Sequence, residues 1–358
     1  MTANNKKFIF FIIIFPLLLA VDLLFFSKST GLSTTTWLPP ILVKKSENKK
    51  IEAPKEVLKF LFFGDIMLDR HVKERIDKNG FDYLLASTSP QLYEGYDIVT
   101  ANLEGAVTDD GAHYPPENGI DFAFTPDDVA NFKKYNFNLF NLANNHFGDQ
   151  GEKGISETMA NLDKLGFDYF GCKDRQVGAC SSKIIEIKNK KIAFIGASMV
   201  YGIFDLEKFK AQIIELKKNN DLVIVELHWG VEYEHKFNKT QQEIAHELID
   251  VGAEMIIGHH PHVVQGMEIY KNKAIFYSLG NFIFDQYFSA NTQEGVAVSV
   301  DLSEQQIYYR LIPYQMKAAQ VIIMDEEKQK EFWSRFLEYS AVESLGTAWQ
   351  DGDIILSR

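Results

Sequence analysis

Apolar residues gather along this chain in short runs separated by polar, helix-compatible stretches, and the length and period of each run assign it an element. The run at 57–63 reads as a buried strand, 97–101 as a second and 137–142 as a third. Between the last two, Thr125 is followed by Pro126, Asp127 and Asp128. A cap residue, a proline at the first helical position and acids in the first turn open a helix there. Further strands are expected at 191–196, 221–227 and 254–257, with helices around 205–218 and 239–251 between them. After residue 268 the pattern turns to strands, at 274–277, 296–300 and 320–323, and a helix near 326–341 is expected to close the chain. Strands alternating with helices imply α/β layering around a largely parallel or mixed sheet. No internal repeat is present.

The N-terminal pattern is of another kind. Lys6 and Lys7 precede an apolar stretch over positions 8–26, broken only by Pro16 and Asp22. At about 1.5 Å per residue it spans about 28 Å, close to the ~30 Å hydrocarbon thickness of a bilayer, so it reads as a transmembrane anchor. A cleaved signal peptide is the alternative, but its apolar core is shorter, about 7–15 residues, and ends in an A-x-A-like site absent here. The lysines place residues 1–7 in the cytoplasm and everything beyond 26 outside it. Residues 27–56, rich in Ser, Thr, Pro and Lys without apolar period, read as a stalk. The main domain is expected over 57–300, with strands and a helix over 301–358 completing it.

Composition narrows the chemistry. With 46% hydrophobic residues among 358, a sizeable core can form. The balance of 49 acidic against 37 basic residues, a net charge of −12, argues against a nucleic-acid partner. It would also repel an acidic polymer, so an anionic partner must meet a local basic patch or a metal. The two cysteines, Cys172 and Cys180, lie in one loop and form either a disulfide or two free thiols; an oxidising compartment favours the disulfide. With no third cysteine, thiolate metal sites and iron–sulfur clusters are excluded.

Three of the nine histidines fall within Gly258-His259-His260-Pro261-His262, directly behind the strand at 254–257. Such crowding suits a cation, although His-rich turns also occur as solvated loops. In open α/β sheets, chemistry collects at the carboxyl ends of strands, and polar groups stand there five times. The donors are Asp65, Glu104, Asn145, His228, His260 and His262. Taken singly, Asp65 could cap a helix, Glu104 could be a loop acid, Asn145 a turn residue and His228 a core histidine. Their joint placement favours metal. Nitrogen and oxygen donors without sulfur suit manganese, iron or zinc better than magnesium. Six are too many for one four-coordinate zinc and suffice for two divalent ions about 3.5–4 Å apart.

The blocks FGDIMLDR at 63–70, ANLEG at 101–105, LANNHFGD at 142–149, LHWGVEY at 227–233, GHHPHVVQG at 258–266 and YSLGNFIFD at 277–285 resemble, in order, those of the CapA family of capsule-synthesis proteins. The resemblance implies a four-layer α/β/β/α sandwich of the calcineurin-like, metallo-dependent phosphatase type. It also implies a role in making or exporting a poly-γ-glutamate capsule, beside membrane-bound capsule synthase components. On it, Asp65 would be the first metal-binding acid, Glu104 the bridging carboxylate, Asn145 and His146 the Asn-His pair, and His228, His260 and His262 the remaining ligands. Two features depart from the wider superfamily. Met67 stands where an imidazole ligand is usual, and the bridging acid comes from Asn102-Leu103-Glu104. His146 would protonate a leaving oxygen as the catalytic residue. Arg70 would grip a phosphate or carboxylate, unless it is a solvated helix residue, and Asn102 and Asn281 would line the substrate pocket. Three activities stay open: a metal-dependent hydrolase acting on an anionic polymer, a metal-binding scaffold for such a polymer, and a general metallophosphoesterase. His71, His113, His235 and His246 are expected at the surface, and His259 beside the ligands.

Overall fold

Two β-sheets face each other across an aromatic and aliphatic core in the computed structural model, which describes residues 56–115 and 120–358. The alternation of the strand Leu58–Ile66 shows why. Phe60 and Phe62 point toward the second sheet, meeting Phe194, Ile224, Met255 and Ile257. Leu61 and Phe63 point the other way, into a cluster with Val72 and Ile76 of the helix Arg70–Asn79 and Leu162 of the helix Gly151–Leu165. In the second sheet, Ile192 and Phe194 face the first. Ala193 and Ile195 pack instead with Phe209, Ile213, Ala245 and Leu248 of the helices Leu206–Asn219 and Lys239–Asp250. The layers therefore run helix, sheet, sheet, helix, as expected.

Both sheets are mixed. In the larger one, Leu58–Ile66, Ile98–Leu103, Leu139–Asn141 and Asp168–Phe170 run parallel. On the other side of Leu58–Ile66, the strands Glu294–Leu302, Gln306–Lys317 and Asp353–Ser357 add antiparallel pairs. In the smaller sheet, Lys190–Ser198, Leu222–His228, Met255–His259 and Lys273–Phe276 are parallel, with Ser182–Ile187 and Met267–Tyr270 antiparallel at its edges. Register decides what meets. Asn281, Asp65, Asn102 and Asn141 lie in line across the larger sheet, and Ser198, His228 and His259 across the smaller.

Several expectations change. Thr125 does cap a helix, accepting from Asp128 N at 3.0 Å, but the α-helix is only Pro126–Ala130 and tightens into a 3-10 turn. The helix Glu326–Tyr339 does not close the chain, which returns as Trp349–Gln350 and Asp353–Ser357 along the edge of the larger sheet. The boundary drawn at 300 falls inside Glu294–Leu302, whose partner Gln306–Lys317 belongs to the same sheet. That partner is a 12-residue strand that Arg310 and Pro313 hide from an apolar-run reading, although Ile307, Tyr309 and Leu311 alternate inward. The helix Gly151–Leu165 turns Ile155, Leu162 and Leu165 to the core, but buried polar groups share that inner face. Thr158 Oγ1 accepts from Val107 N at 2.8 Å and Asn161 Nδ2 donates to Val107 O at 2.9 Å.

Cys172 and Cys180 are joined as a disulfide, with 5.1 Å between their Cα atoms. The expected anchor at 8–26 and nearly all of the stalk lie outside the described residues. Among the described residues no helix is long and apolar enough to cross a membrane.

Candidate metal centre

The parallel strands of both sheets deliver their carboxyl ends to one place. The polypeptide pinches there: a side chain at Gly258 would put a Cβ 1.9 Å from Tyr277 O, so only glycine lets the histidine loop leave its strand beside Lys273–Phe276. His260 and His262 then take positive φ values of 95° and 56°. This is uncommon backbone for residues with side chains, and it turns both imidazoles into the site.

Glu104 stands at the centre. Its Oε1 lies 3.8 Å from Nε2 of each of His146, His228 and His262, and both carboxylate oxygens are buried without a hydrogen-bond partner. Burial lifts its carboxyl to about 7, against the pull of His262 and with the push of Asp65. A carboxylate buried without donors is costly. Donors each about 2.1 Å from a shared ion stand roughly 3–4 Å apart, which is the spacing seen here and is too long for hydrogen bonding. Asp65, Glu104 and His262 bring ligand atoms within 4.8 Å of one another, and Glu232, His260 and His262 do the same. The donors fit a divalent cation held by nitrogen and oxygen.

The other expected ligands gather around this acid. Asp65 is fully buried; burial opposes its charge, but bonds from His259 and His262 outweigh that and hold its carboxyl well below the usual range. His262 is itself raised to about 9: burial pulls it down, and Glu104 and Asp65 more than compensate. Burial holds His228 well below its usual value, and burial with the charge of His262 lowers His260 to about 4. His228 Nε2 and Asn145 Oδ1 are 2.6 Å apart, so two expected ligands occupy each other. His146 Nδ1 is 2.7 Å from Asp149 Oδ2 while its Nε2 faces Glu104. Burial lowers the His146 pKa, but Asp149 and Glu104 outweigh it and the net shift is upward.

Three residues expected to touch substrate are used otherwise. Asn102 is fully buried; its Nδ2 donates to Asp65 Oδ1 at 2.8 Å and lies 3.3 Å from His228 Nδ1, and its Oδ1 accepts from Asn144 at 3.1 Å. Asn281 is fully buried too, with Oδ1 2.9 Å from His262 Nδ1 and Nδ2 donating to Thr292 O at 3.0 Å. Both orient ligands and face no solvent. Arg70 does reach the mouth of the site, over the rings of Phe122 and Phe284, but its guanidinium is paired with Asp285 through both Nε and Nη2. Of the four histidines expected at the surface, His71 and His113 are exposed, and His235 and His246 are half-buried. His113 joins Asp69 and Asp121, His235 joins Asn291, and His246 joins Glu268.

Sequence reasoning missed the partners. His259 is fully buried between Asp65 (3.4 Å) and Glu226 (3.3 Å); burial opposes its charge, and those two acids raise it to about 9. Glu226 sits inside an apolar strand, where nothing marks its partner. Glu232 was visible in the block at 227–233, two residues past Gly230, but ends no strand. Asp285 is 215 positions from the arginine it holds.

The family model for the bacterial capsule synthesis protein PGA_cap matches residues 59–286, a span that includes all six expected ligands. The capsule biosynthesis protein CapA of Bacillus anthracis is 33% identical over 281 residues, covering 73% of this chain and 66% of its own length. The PGA biosynthesis protein CapA of Bacillus subtilis (strain 168) is 32% identical over 276 residues, covering 73% and 72%. Among solved structures, a phosphatase of Mycoplasma pneumoniae aligns with 79% of this chain and 100% of its own at 15% identity and a TM-score of 0.45. The extent of the family match and the identity to the Bacillus subtilis protein together mean that this chain belongs to the PGA_cap family of bacterial capsule synthesis proteins.

Proposed function

We propose that this protein acts in the synthesis or export of a poly-γ-glutamate capsule through a metal-dependent, hydrolase-type site of the calcineurin-like metallophosphatase kind. In this reading it is held at the outer face of the cytoplasmic membrane by residues 8–26. The observation that carries the site is Glu104, a buried carboxylate with no hydrogen bond and three imidazole nitrogens at 3.8 Å. The names of the Bacillus relatives support the capsule role. The apolar stretch after Lys6 and Lys7 supports the anchor.

Asp65, Glu104, Asn145, His228, His260 and His262 would hold two divalent ions of the manganese, iron or zinc class. Bound there, such ions supply Lewis acidity and lower the pKa of water. The protein's own groups do the rest. His146, oriented by Asp149 and biased toward its protonated form by Asp149 and Glu104 against the effect of burial, delivers a proton from Nε2 to a leaving oxygen. Phe122 and Phe284 wall the approach and hold Arg70 in place. Because Asp285 neutralises Arg70 and the chain carries a charge of −12, an anionic substrate finds no free cationic side chain in that pair. Its attraction to the site falls to the ions.

The purified chain, loaded with manganese, is to be assayed on a phosphomonoester, a phosphodiester and poly-γ-glutamate beside His146→Ala. Turnover reduced about 100-fold or more in the variant is expected for a general acid. Turnover untouched by His146→Ala overturns that role, and no turnover with metal bound makes the protein a scaffold for the polymer.

A further inference from the structure

Glu232 has no place among the expected ligands, yet it stands at their edge. Gly230, with φ of 90°, turns the chain back after His228 and Trp229. Tyr233 N then donates to Pro261 O at 2.8 Å, which fastens this loop to the one carrying His260 and His262. The half-buried Glu232 side chain lines a cavity of 390 Å³ at the mouth, with His146, His262 and Arg70. Its carboxylate and the ring nitrogens of His260 and His262 lie within 4.8 Å of one another. His260 is only 2% exposed and its Nδ1 has no partner. The Tyr201 hydroxyl donates to Glu232 Oε1 at 3.1 Å and steadies it.

A donor is also wanted here. Met67, which stands where the resemblance would place an imidazole, is fully buried in the core and its sulfur accepts from Asp69 N at 3.0 Å. The end of Leu58–Ile66 therefore gives the centre Asp65 alone. The amides of Asn102 and Asn281 have their polar atoms committed to Asp65, Asn144, Thr292 and His262.

We propose that Glu232 is a seventh protein donor to the metal centre, closing it from the cavity side together with His260 and His262. The inference rests on the metal-centre reading given above. The added carboxylate makes the donor set richer in oxygen than that of a His-dominated zinc site, which favours manganese or iron. It also places a protein ligand on the face that substrate must approach, so Glu232 borders both the ion and the cavity.

Calorimetric titration of manganese into the chelator-treated full chain tests this, with wild type, Glu232→Gln, Glu232→Asp and Tyr201→Phe side by side. Wild type is expected to take up two ions. Glu232→Gln is expected to keep one with unchanged affinity and to bind the other at least 10-fold more weakly; Glu232→Asp should recover part of the loss. Tyr201→Phe, which leaves the carboxylate in place, should shift affinity less than Glu232→Gln does. Because Glu232 is half-exposed, its variants should melt with wild type in the absence of metal. Two ions bound by Glu232→Gln at wild-type affinity would overturn the assignment while leaving the centre intact. A wild type that binds no manganese would overturn the centre itself, and the assignment with it.

Discussion

Two buried glutamates of this protein are treated in opposite ways. Glu268, 6% exposed, accepts from Tyr277 Oη at 2.8 Å and Gln242 Nε2 at 3.1 Å, and pairs with His246 Nε2 at 2.9 Å. Glu104, with no exposure at all, is given no donor, although three imidazole nitrogens stand 3.8 Å away. A fold that meant Glu104 as a structural group would have supplied it with partners, as it does 164 positions later. The contrast teaches that Glu104 is left short of donors, which is what the proposed metal centre requires: a cation bound there would complete it.

The largest expected effect breaks the contrast outright. Manganese at about 1,000 times its dissociation constant should stabilise wild type by about 4 kcal/mol for each ion bound, about 8 kcal/mol for two, read from melts with and without chelator. Glu104→Ala should lose that gain, and Glu268→Ala should keep it. A comparable manganese shift in Glu104→Ala would place the ions elsewhere. Next in size, Glu268→Ala leaves the buried Tyr277 hydroxyl and the half-buried Gln242 and His246 without their partner, which costs about 3 kcal/mol in urea unfolding. The cost should be the same with and without metal; dependence on metal would tie Glu268 to the centre.

The third effect separates the two acids by pH. The folded pKa of Glu104 in the metal-free protein, about 7, lies above the ordinary glutamate value of 4.5, because burial disfavours the charge. Between those values the folded state holds a proton that the unfolded state has released. The stability linked to that proton is therefore full below pH 4.5 and lost as pH rises through 7. His260, lowered to about 4, runs against this, but it is present in both proteins when wild type is compared with Glu104→Gln. The difference between them should grow by on the order of 2 kcal/mol from pH 4.5 to 7, followed by denaturant midpoints. A flat difference would mean that Glu104 finds donors in solution.

Smallest is the effect of an orienting amide. Asn281→Ala removes the group that fixes the His262 ring and should weaken manganese binding about 10-fold, or about 1.4 kcal/mol, leaving the number of ions at two. Unchanged affinity would show that Asp65 alone, 3.5 Å from the same nitrogen, holds the ring.

How much of this was legible follows from where information sits along the chain. That the six expected donors gather at one place could be read because each follows an apolar run, and β-strand ends in a parallel sheet converge. The same rule was blind to Glu232, which lies in a loop, and to Glu226, which lies inside a strand. It also misjudged Asn102 and Asn281: whether an amide faces substrate or a neighbour depends on partners such as Asn144, 42 positions away. Among the elements, Gly151–Leu165 escaped because Thr158 and Asn161, both bonded to Val107, interrupt the apolar residues of its inner face. Gln306–Lys317 escaped because its outward positions carry Tyr308 and Arg310.

The most direct test of the central claim is the manganese content of the purified full chain after loading and desalting, by elemental analysis, for wild type, Glu104→Ala and Glu268→Ala. The predicted result is two ions per chain in wild type and Glu268→Ala, and fewer than one in Glu104→Ala. A metal-free wild type, or a Glu104→Ala variant that still carries two ions, would contradict it.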